Sequence, residues 1–291
     1  MLKQISLLIL CAVAIVLFAT PVQACTSAVV SGKVTPDGRP LLWKNRDTDF
    51  MRNHVDYVKG EKYDFIAVVN SANAYLKEAW MGTNSAGFAL MNTQSYNLVD
   101  VKGDEERGAA NGRVIYRALE VCATVEDFCH FLDTISKPSD IEANFGVIDA
   151  QGGAAMFEVD YYKYVMYDAN NPKDAPYGYI ARTNFSFAGK VNEGAGYVRY
   201  MEADQVLMKA SATGSITPQF IFNDLSRSFR NRMLDIDLRS GAYNRPQASG
   251  WFVDQDFIPR SSTSCSVVVQ GVKPGEKAEL TTMWTLLGYP P

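Results

Sequence analysis

Hydrophobic and polar positions along the chain follow two periods, and the changes of period divide it into segments. Residues 25–34 alternate loosely and are rich in β-formers. Thr35-Pro36-Asp37-Gly38-Arg39-Pro40 follows. There proline presets φ and glycine takes a left-handed position, so a tight turn is expected. Residues 41–47 read as the return strand and 63–70 as a third strand. Residues 80–94 read as two strands around Thr83-Asn84-Ser85-Ala86-Gly87.

The period then becomes helical. Over 111–121, Val114, Ile115, Ala118, Leu119 and Cys122 share one face. Thr124 suits the N-cap of a second helix, with Glu126 and Asp127 in its first turn. Phe128, Phe131, Leu132 and Ile135 line its apolar side, and Pro138 stops it. From Asn144 the period returns to two. Residues 145–149, 154–161 and 164–167 read as a meander, with Gln151-Gly152-Gly153 as a hairpin turn. Residues 179–184 read as a strand and 195–234 as mostly helical. Residues 263–272 and 277–287 are strands split at Pro274-Gly275. Strands, helices, strands, helices, strands is not βαβ repetition. It predicts an α+β architecture, with antiparallel sheets and helices on the outer faces, in one domain over 25–291. The chain ends directly after an apolar strand, so an open sheet edge is expected there.

Residues 1–24 stand apart. Lys3, an apolar run from Ile5 to Phe18 and Thr20-Pro21-Val22-Gln23-Ala24 make the pattern of a removable signal peptide. Its unbroken apolar stretch of about a dozen residues is short of the roughly 20 that a spanning helix needs. No later stretch has that length. An exported protein, periplasmic or extracellular, with no membrane span is expected. Cleavage after Ala24 makes Cys25 the first residue, carrying both a thiol and a free α-amine.

Composition narrows the picture. Hydrophobic residues make up 47% of the 291, ample for a core, and the net charge of −4 comes with no basic stripe, which argues against nucleic acid. Cys11 leaves with the export segment. Cys122 and Cys129 stand about 10.5 Å apart along a helix, beyond disulfide reach. With Cys265 they read as buried small hydrophobes. The two histidines, His54 and His130, fit no metal-ligand spacing, and His130 sits among Glu126, Asp127 and Asp133 on a solvated face. A papain-like pairing of Cys25 with either histidine lacks a recognisable pattern. Gly194-Ala195-Gly196 is not followed by a nucleotide-loop pattern.

An N-terminal cysteine can do acyl transfer alone. A thiol ordinarily titrates near 8.5 and an α-amine near 7.7–8.0, so the amine takes the thiol proton directly or through one water. A thioester then forms and is resolved by water or another nucleophile. Two other readings stay open. Val22-Gln23-Ala24-Cys25 loosely matches a lipidation signal, although a strand begins at once where a tether is usual. Cys25 is otherwise a plain structural cysteine. A lipidated chain would be a ligand-binding module, with Tyr161, Tyr162, Tyr164 and Tyr167 as its surface.

Cys25-Thr26-Ser27 opening a strand, with Trp43-Lys44-Asn45-Arg46-Asp47 on its hairpin partner, resembles the N-terminal-nucleophile (Ntn) hydrolases. The branch is the linear-amide C–N group of choloylglycine hydrolase, acid ceramidase and penicillin acyltransferase-like proteins. The resemblance implies an αββα four-layer sandwich and hydrolysis or transfer at a non-peptide amide, with a small-molecule amide as partner and no cofactor. It implies Cys25 as nucleophile and Asp47 as the acid that orients the α-amine. It implies Asn92, in Gly87-Phe88-Ala89-Leu90-Met91-Asn92-Thr93, and Asn184, in Ala181-Arg182-Thr183-Asn184-Phe185, as oxyanion-side carboxamides. Asn184-Phe185-Ser186 is also a glycosylation sequon. The family's arginine three residues before the aspartate is replaced by Lys44, with Arg46 adjacent to Asp47. Alternation puts Lys44 and Arg46 on one face and Asn45 and Asp47 on the other, and leaves open which base faces the thiol. Arg260, before Ser261-Ser262-Thr263-Ser264, is the counterpart of the family's late arginine. The acyl and amine halves of the substrate, hydrolase against acyltransferase, and homo-oligomer formation are left open.

Overall fold

The computed structural model describes residues 24–99, 108–240 and 253–291. The export segment expected over 1–24 lies outside them except for Ala24. The chain opens with the hairpin β1 (Thr26–Val30) and β2 (Leu41–Asp47), turned at Gly38 with φ +76°. Next come β3 (Asn53–Val58), β4 (Phe65–Asn70), β5 (Met81–Asn84) and β6 (Ala89–Gln94), then helices α1 (Asn111–Val121) and α2 (Val125–Thr134). The meander β7 (Ala143–Ile148), β8 (Ala154–Val159) and β9 (Tyr164–Asp168) leads to β10 (Tyr179–Arg182) and helix α3 (Tyr197–Ala212). After a short helical stretch over 218–225 come β11 (Arg230–Asn231), β12 (Ile236–Asp237), β13 (Thr263–Gln270) and β14 (Thr282–Leu287).

Two antiparallel sheets carry the fold. One has the order β10-β1-β2-β13-β14, and the other runs β3 to β9 in sequence order. Val29, Leu42, Val267 and Val269 of the first pack on Met81, Met91, Ile148 and Met156 of the second. The outer face of the seven-stranded sheet is covered by Val114, Ile115, Leu119, Phe128 and Leu132 of α1 and α2. The outer face of the five-stranded sheet is covered by Ala203, Leu207 and Ala210 of α3 with Ile221 and Leu225. Helix, sheet, sheet, helix is the expected αββα sandwich. A Cβ on Gly146 would meet Val29 at 2.8 Å and Leu42 at 2.9 Å, so its bare backbone lets the two sheets close at that point.

Helix α1 has the expected bounds and buried face. Thr124 caps α2 through a capping box in which Asp127, not a glutamate, returns the bond to the backbone. Several expectations need correction. The strand read over 63–70 is the fourth, because β3 precedes it; its half-exposed residues mark a sheet edge with little apolar signal. It begins at Phe65, since the Tyr63 amide bonds to the Glu120 carbonyl instead. The region over 195–234 stops being helical after Leu225: Asp235 takes φ +51° and the Asn231 carboxamide accepts from the Leu234 amide, making the β11–β12 turn. Strands β7 and β8 are buried on both faces, since a helix layer covers one and a sheet the other. Cys129 is half-buried, with Sγ 4.0 Å from Met166 Sδ, while Cys122 and Cys265 are buried; all three thiols are free.

Candidate active site

The register of the first hairpin sets the geometry. Thr26 lies opposite Asn45 and Ser27 opposite Lys44, so one further step brings Cys25 beside Arg46. Residues directly opposite share a sheet face, and alternate residues of one strand do too. Cys25, Lys44 and Arg46 therefore all point between the two sheets, and both bases stand on the thiol's face. Lys44 Nζ donates to the Trp80 carbonyl at 3.1 Å and to Asn92 Oδ1 at 2.9 Å on the facing sheet. Arg46 donates to the side-chain oxygens of Asn53 and of Asn70, the latter at 2.8 Å, and lies 4.6 Å over the Trp80 ring. Cys25 is 7% exposed, with Sγ 3.9 Å from the Asp47 carbonyl oxygen.

The opposite face of the same strands holds the rest. Asp47 is buried there rather than solvated at a strand end. Its Oδ2 accepts from Arg260 Nε at 3.0 Å and its Oδ1 from the Thr263 hydroxyl at 2.6 Å. A bulge makes this set: Thr263 pairs with Asp47 but Cys265 with Arg46, leaving Ser264 as the extra residue. Arg260 also reaches the nucleophile strand, its Nη2 donating to the Ala24 carbonyl at 3.0 Å.

Sequence reading missed Arg199. From the first turn of α3 its Nη1 donates to the Cys25 carbonyl at 2.7 Å and to the Thr26 hydroxyl at 2.9 Å, while Nη2 donates to Asn184 Oδ1 at 2.8 Å. Gly194-Ala195-Gly196 was the available signal. Gly196 sits at the start of α3 with φ +86°, and a Cβ there would collide with the Arg199 guanidinium. Asn184 lies just past β10, bridged to Ala195, and its Nδ2 donates to the Gln94 carbonyl at 2.8 Å. It is fully buried, so the sequon has no room for a glycan. Tyr96 was also missed; it lies half-buried within electrostatic reach of Cys25. The histidines are elsewhere: His130 is exposed on α2, and His54 on β3 meets the Ser71 hydroxyl at 3.1 Å.

Four buried cations thus gather at the start of β1: Lys44, Arg46, Arg199 and Arg260. Burial pushes Lys44 down to about 8, with Arg46 adding to the fall and Cys25 opposing it. Burial also lowers Arg46 and Arg199 to about 10, which leaves both charged at neutral pH. Burial pushes the Asp47 carboxyl up, and Arg260, Arg199 and the Thr263 hydroxyl pull it back. Such a cluster favours negative charge on any carbonyl oxygen that becomes anionic beside it.

The family model described as acyl-coenzyme A:6-aminopenicillanic acid acyl-transferase matches residues 34–211. The chain belongs to this family. It is an enzyme of the Ntn linear-amide C–N hydrolase group. Among solved structures, a Caenorhabditis elegans N-acylethanolamine-hydrolyzing acid amidase ortholog is similar at 14% identity and TM-score 0.51, over 90% of this chain and 100% of that one. A variant of the conjugated bile acid hydrolase from Clostridium perfringens is similar at 14% identity and TM-score 0.45, over 90% of this chain and 96% of that one. Penicillin V acylase from Agrobacterium tumefaciens is similar at 15% identity and TM-score 0.44, over 90% of this chain and 82% of that one. No curated protein sequence matches the chain.

Proposed function

We propose that the chain is an exported amidohydrolase, periplasmic or extracellular, whose nucleophile is Cys25 once residues 1–24 are removed. The observation that carries this reading is the position of Arg260. It joins the Asp47 carboxylate to the carbonyl of Ala24, the residue whose departure frees the Cys25 amine. After cleavage Asp47 and Arg260 stay beside the new terminus.

The chemistry follows from these groups. The α-amine takes the thiol proton, and the thiolate attacks the carbonyl carbon of a linear amide. The carbonyl oxygen becomes an oxyanion facing Asn92 and Asn184, whose amide protons stabilise it. The C–N bond breaks, the ammonium proton passes to the departing amine, and a thioester remains. Water attacks it with the amine again as base, releasing the acid and the free thiol. The scheme uses only side chains and the terminal amine. The C. elegans neighbour is named for hydrolysing N-acylethanolamines, so amides of that class are the first substrates to try. A second reading is transfer of the acyl group to an amine instead of water, favoured by the acyl-transferase description of the matching family.

The test is the intact mass and N-terminal sequence of the exported protein, followed by an amide screen with Cys25→Ala as control. The expected result is an unmodified Cys25 terminus and turnover that the variant abolishes. A lipidated or blocked terminus removes the base and favours the ligand-binding lipoprotein. Full activity in Cys25→Ala overturns the mechanism.

A further inference from the structure

The Lys44 ammonium has three protons to place in a buried site. It gives one to the Trp80 carbonyl and one to Oδ1 of Asn92. Asn92 is 4% exposed, and among the described residues its amide nitrogen has no acceptor. That nitrogen is not one of the fully enclosed polar atoms that lack a partner, so its two protons face open space and not packed protein.

A carboxamide is planar, with oxygen and NH₂ on opposite arms, and a flip exchanges them. A cation beside one arm selects the orientation that offers it oxygen. The other arm, carrying the two protons, is then turned away from the cation. We propose that Lys44 is a positioning residue: by holding Asn92 Oδ1 it locks the Asn92 NH₂ toward the carbonyl oxygen under attack at Cys25. The inference rests on the amide-cleaving reading above, in which Asn92 is an oxyanion donor.

The placement supports this division of labour. Lys44 is opposite Ser27, two residues from the nucleophile and on its face. A backbone donor in an oxyanion hole cannot turn round, but a side-chain carboxamide can, so it needs an anchor. An arginine at position 44 would serve as an anchor that never titrates. Lysine makes the anchor pH-dependent. The charged and titratable groups that act on Lys44 are Cys25 just before β1, Arg46 and Asp47 on β2, and Cys265 on β13. Burial and Arg46 lower the Lys44 value, to about 8, against the other three. Above that value Lys44 loses its charge, and with it the preference for the Asn92 oxygen.

Two measurements test the proposal. The first needs no turnover. The Asn92 side-chain amide signals are followed by NMR in ¹⁵N-asparagine-labelled protein, assigned by their loss in Asn92→Ala. In the wild type they are expected to shift with a midpoint at about 8, where Lys44 titrates. In Lys44→Met they are expected to stay constant across that range. Signals that hold still in the wild type, or that move identically in Lys44→Met, overturn the proposal.

The second is a mutant cycle on a p-nitrophenyl acyl ester. Asn92→Ala is expected to lower kcat on the order of 100-fold. Lys44→Met is expected to do nearly the same, with less change in KM, and the double variant to be no worse than Asn92→Ala alone. Lys44→Arg is expected to recover most of the rate and to abolish its alkaline decline. Losses that multiply in the double variant mean that Lys44 acts on the thiol independently, and overturn the proposal. A wild type that cleaves no acyl probe defeats the amide-cleaving reading, while the wild-type titration still decides whether Lys44 pins Asn92.

Discussion

Arg199 grips the backbone of the nucleophile from behind: its Nη1 donates to the Cys25 carbonyl at 2.7 Å, from the sheet face opposite the thiol. The same guanidinium holds the Thr26 hydroxyl and Asn184 Oδ1. One buried cation from α3 therefore sets the distance between the nucleophile strand and a candidate oxyanion side chain.

Arg199→Met is expected to strand three buried acceptors. Leaving a buried neutral acceptor unpaired costs about 1–3 kcal/mol, seen as a fall in Tm. Because Cys25 and Asn184 lose their common anchor, kcat is also expected to fall on the order of 100-fold. A variant that keeps its kcat at temperatures where it remains folded would restrict Arg199 to stability.

Gly196→Ala is expected to act through Arg199. The new Cβ adopts an unfavourable φ of +86° and collides with the Arg199 guanidinium. Gly214→Ala is the control, since it has φ +61° and nothing within 4 Å of its Cβ. Both are expected to lose about 1 kcal/mol to backbone conformation, measured by chemical denaturation. Only Gly196→Ala is expected to lose activity as well, and equal kcat values in the two variants would contradict the collision.

Lys44 links stability to pH in a direction opposite to acid denaturation. Its value is about 8 when folded, against the ordinary 10.5. Below about 8 both states are protonated, and the folded state bears the full cost of burying the charge. Between about 8 and 10.5 the unfolded chain binds the proton and the folded one does not, so stability rises with pH. Relative to Lys44→Met, the wild type is expected to gain on the order of 3 kcal/mol across that window. A pH-independent difference between the two proteins would show that Lys44 is not shifted.

Gly146→Ala probes the spacing of the sheets. The added methyl meets Val29, Leu42 and Met91 at once. Overpacking of this kind costs about 1–3 kcal/mol. Since Cys25 leads directly into β1 and Asn92 lies on β6 of the facing sheet, kcat is expected to fall as well. Unaltered stability would mean that the interface has slack there.

Much of this was legible locally. The β1–β2 hairpin follows from Pro36-Asp37-Gly38, and α1 from a face recurring every three to four residues. Thr124 with Asp127 three residues on marks the start of α2. Strand β3 was not legible, because a half-exposed edge strand such as Asn53–Val58 has no continuous apolar face to betray it. Strand alternation correctly grouped Lys44 with Arg46. It was silent on the thiol, because that grouping depends on hairpin register, and register depends on the turn.

The sequence by itself determined the layered α+β class, the family motif around Cys25, and the residue types available for acyl transfer. These rest on short-range periodicity, turn chemistry and composition, each complete within a dozen residues. Only the tertiary structure decided which cation serves which acceptor: Lys44 goes to Asn92, Arg260 to Asp47 and Ala24, and Arg199 to Cys25 and Asn184. Arg199 and Cys25 are separated by 174 positions and meet because α3 packs on the back of β1. Asp47 meets Thr263 because a bulge in β13 shifts the register by one residue. Such contacts arise from how faces pack and where a ladder slips, and no local pattern encodes either.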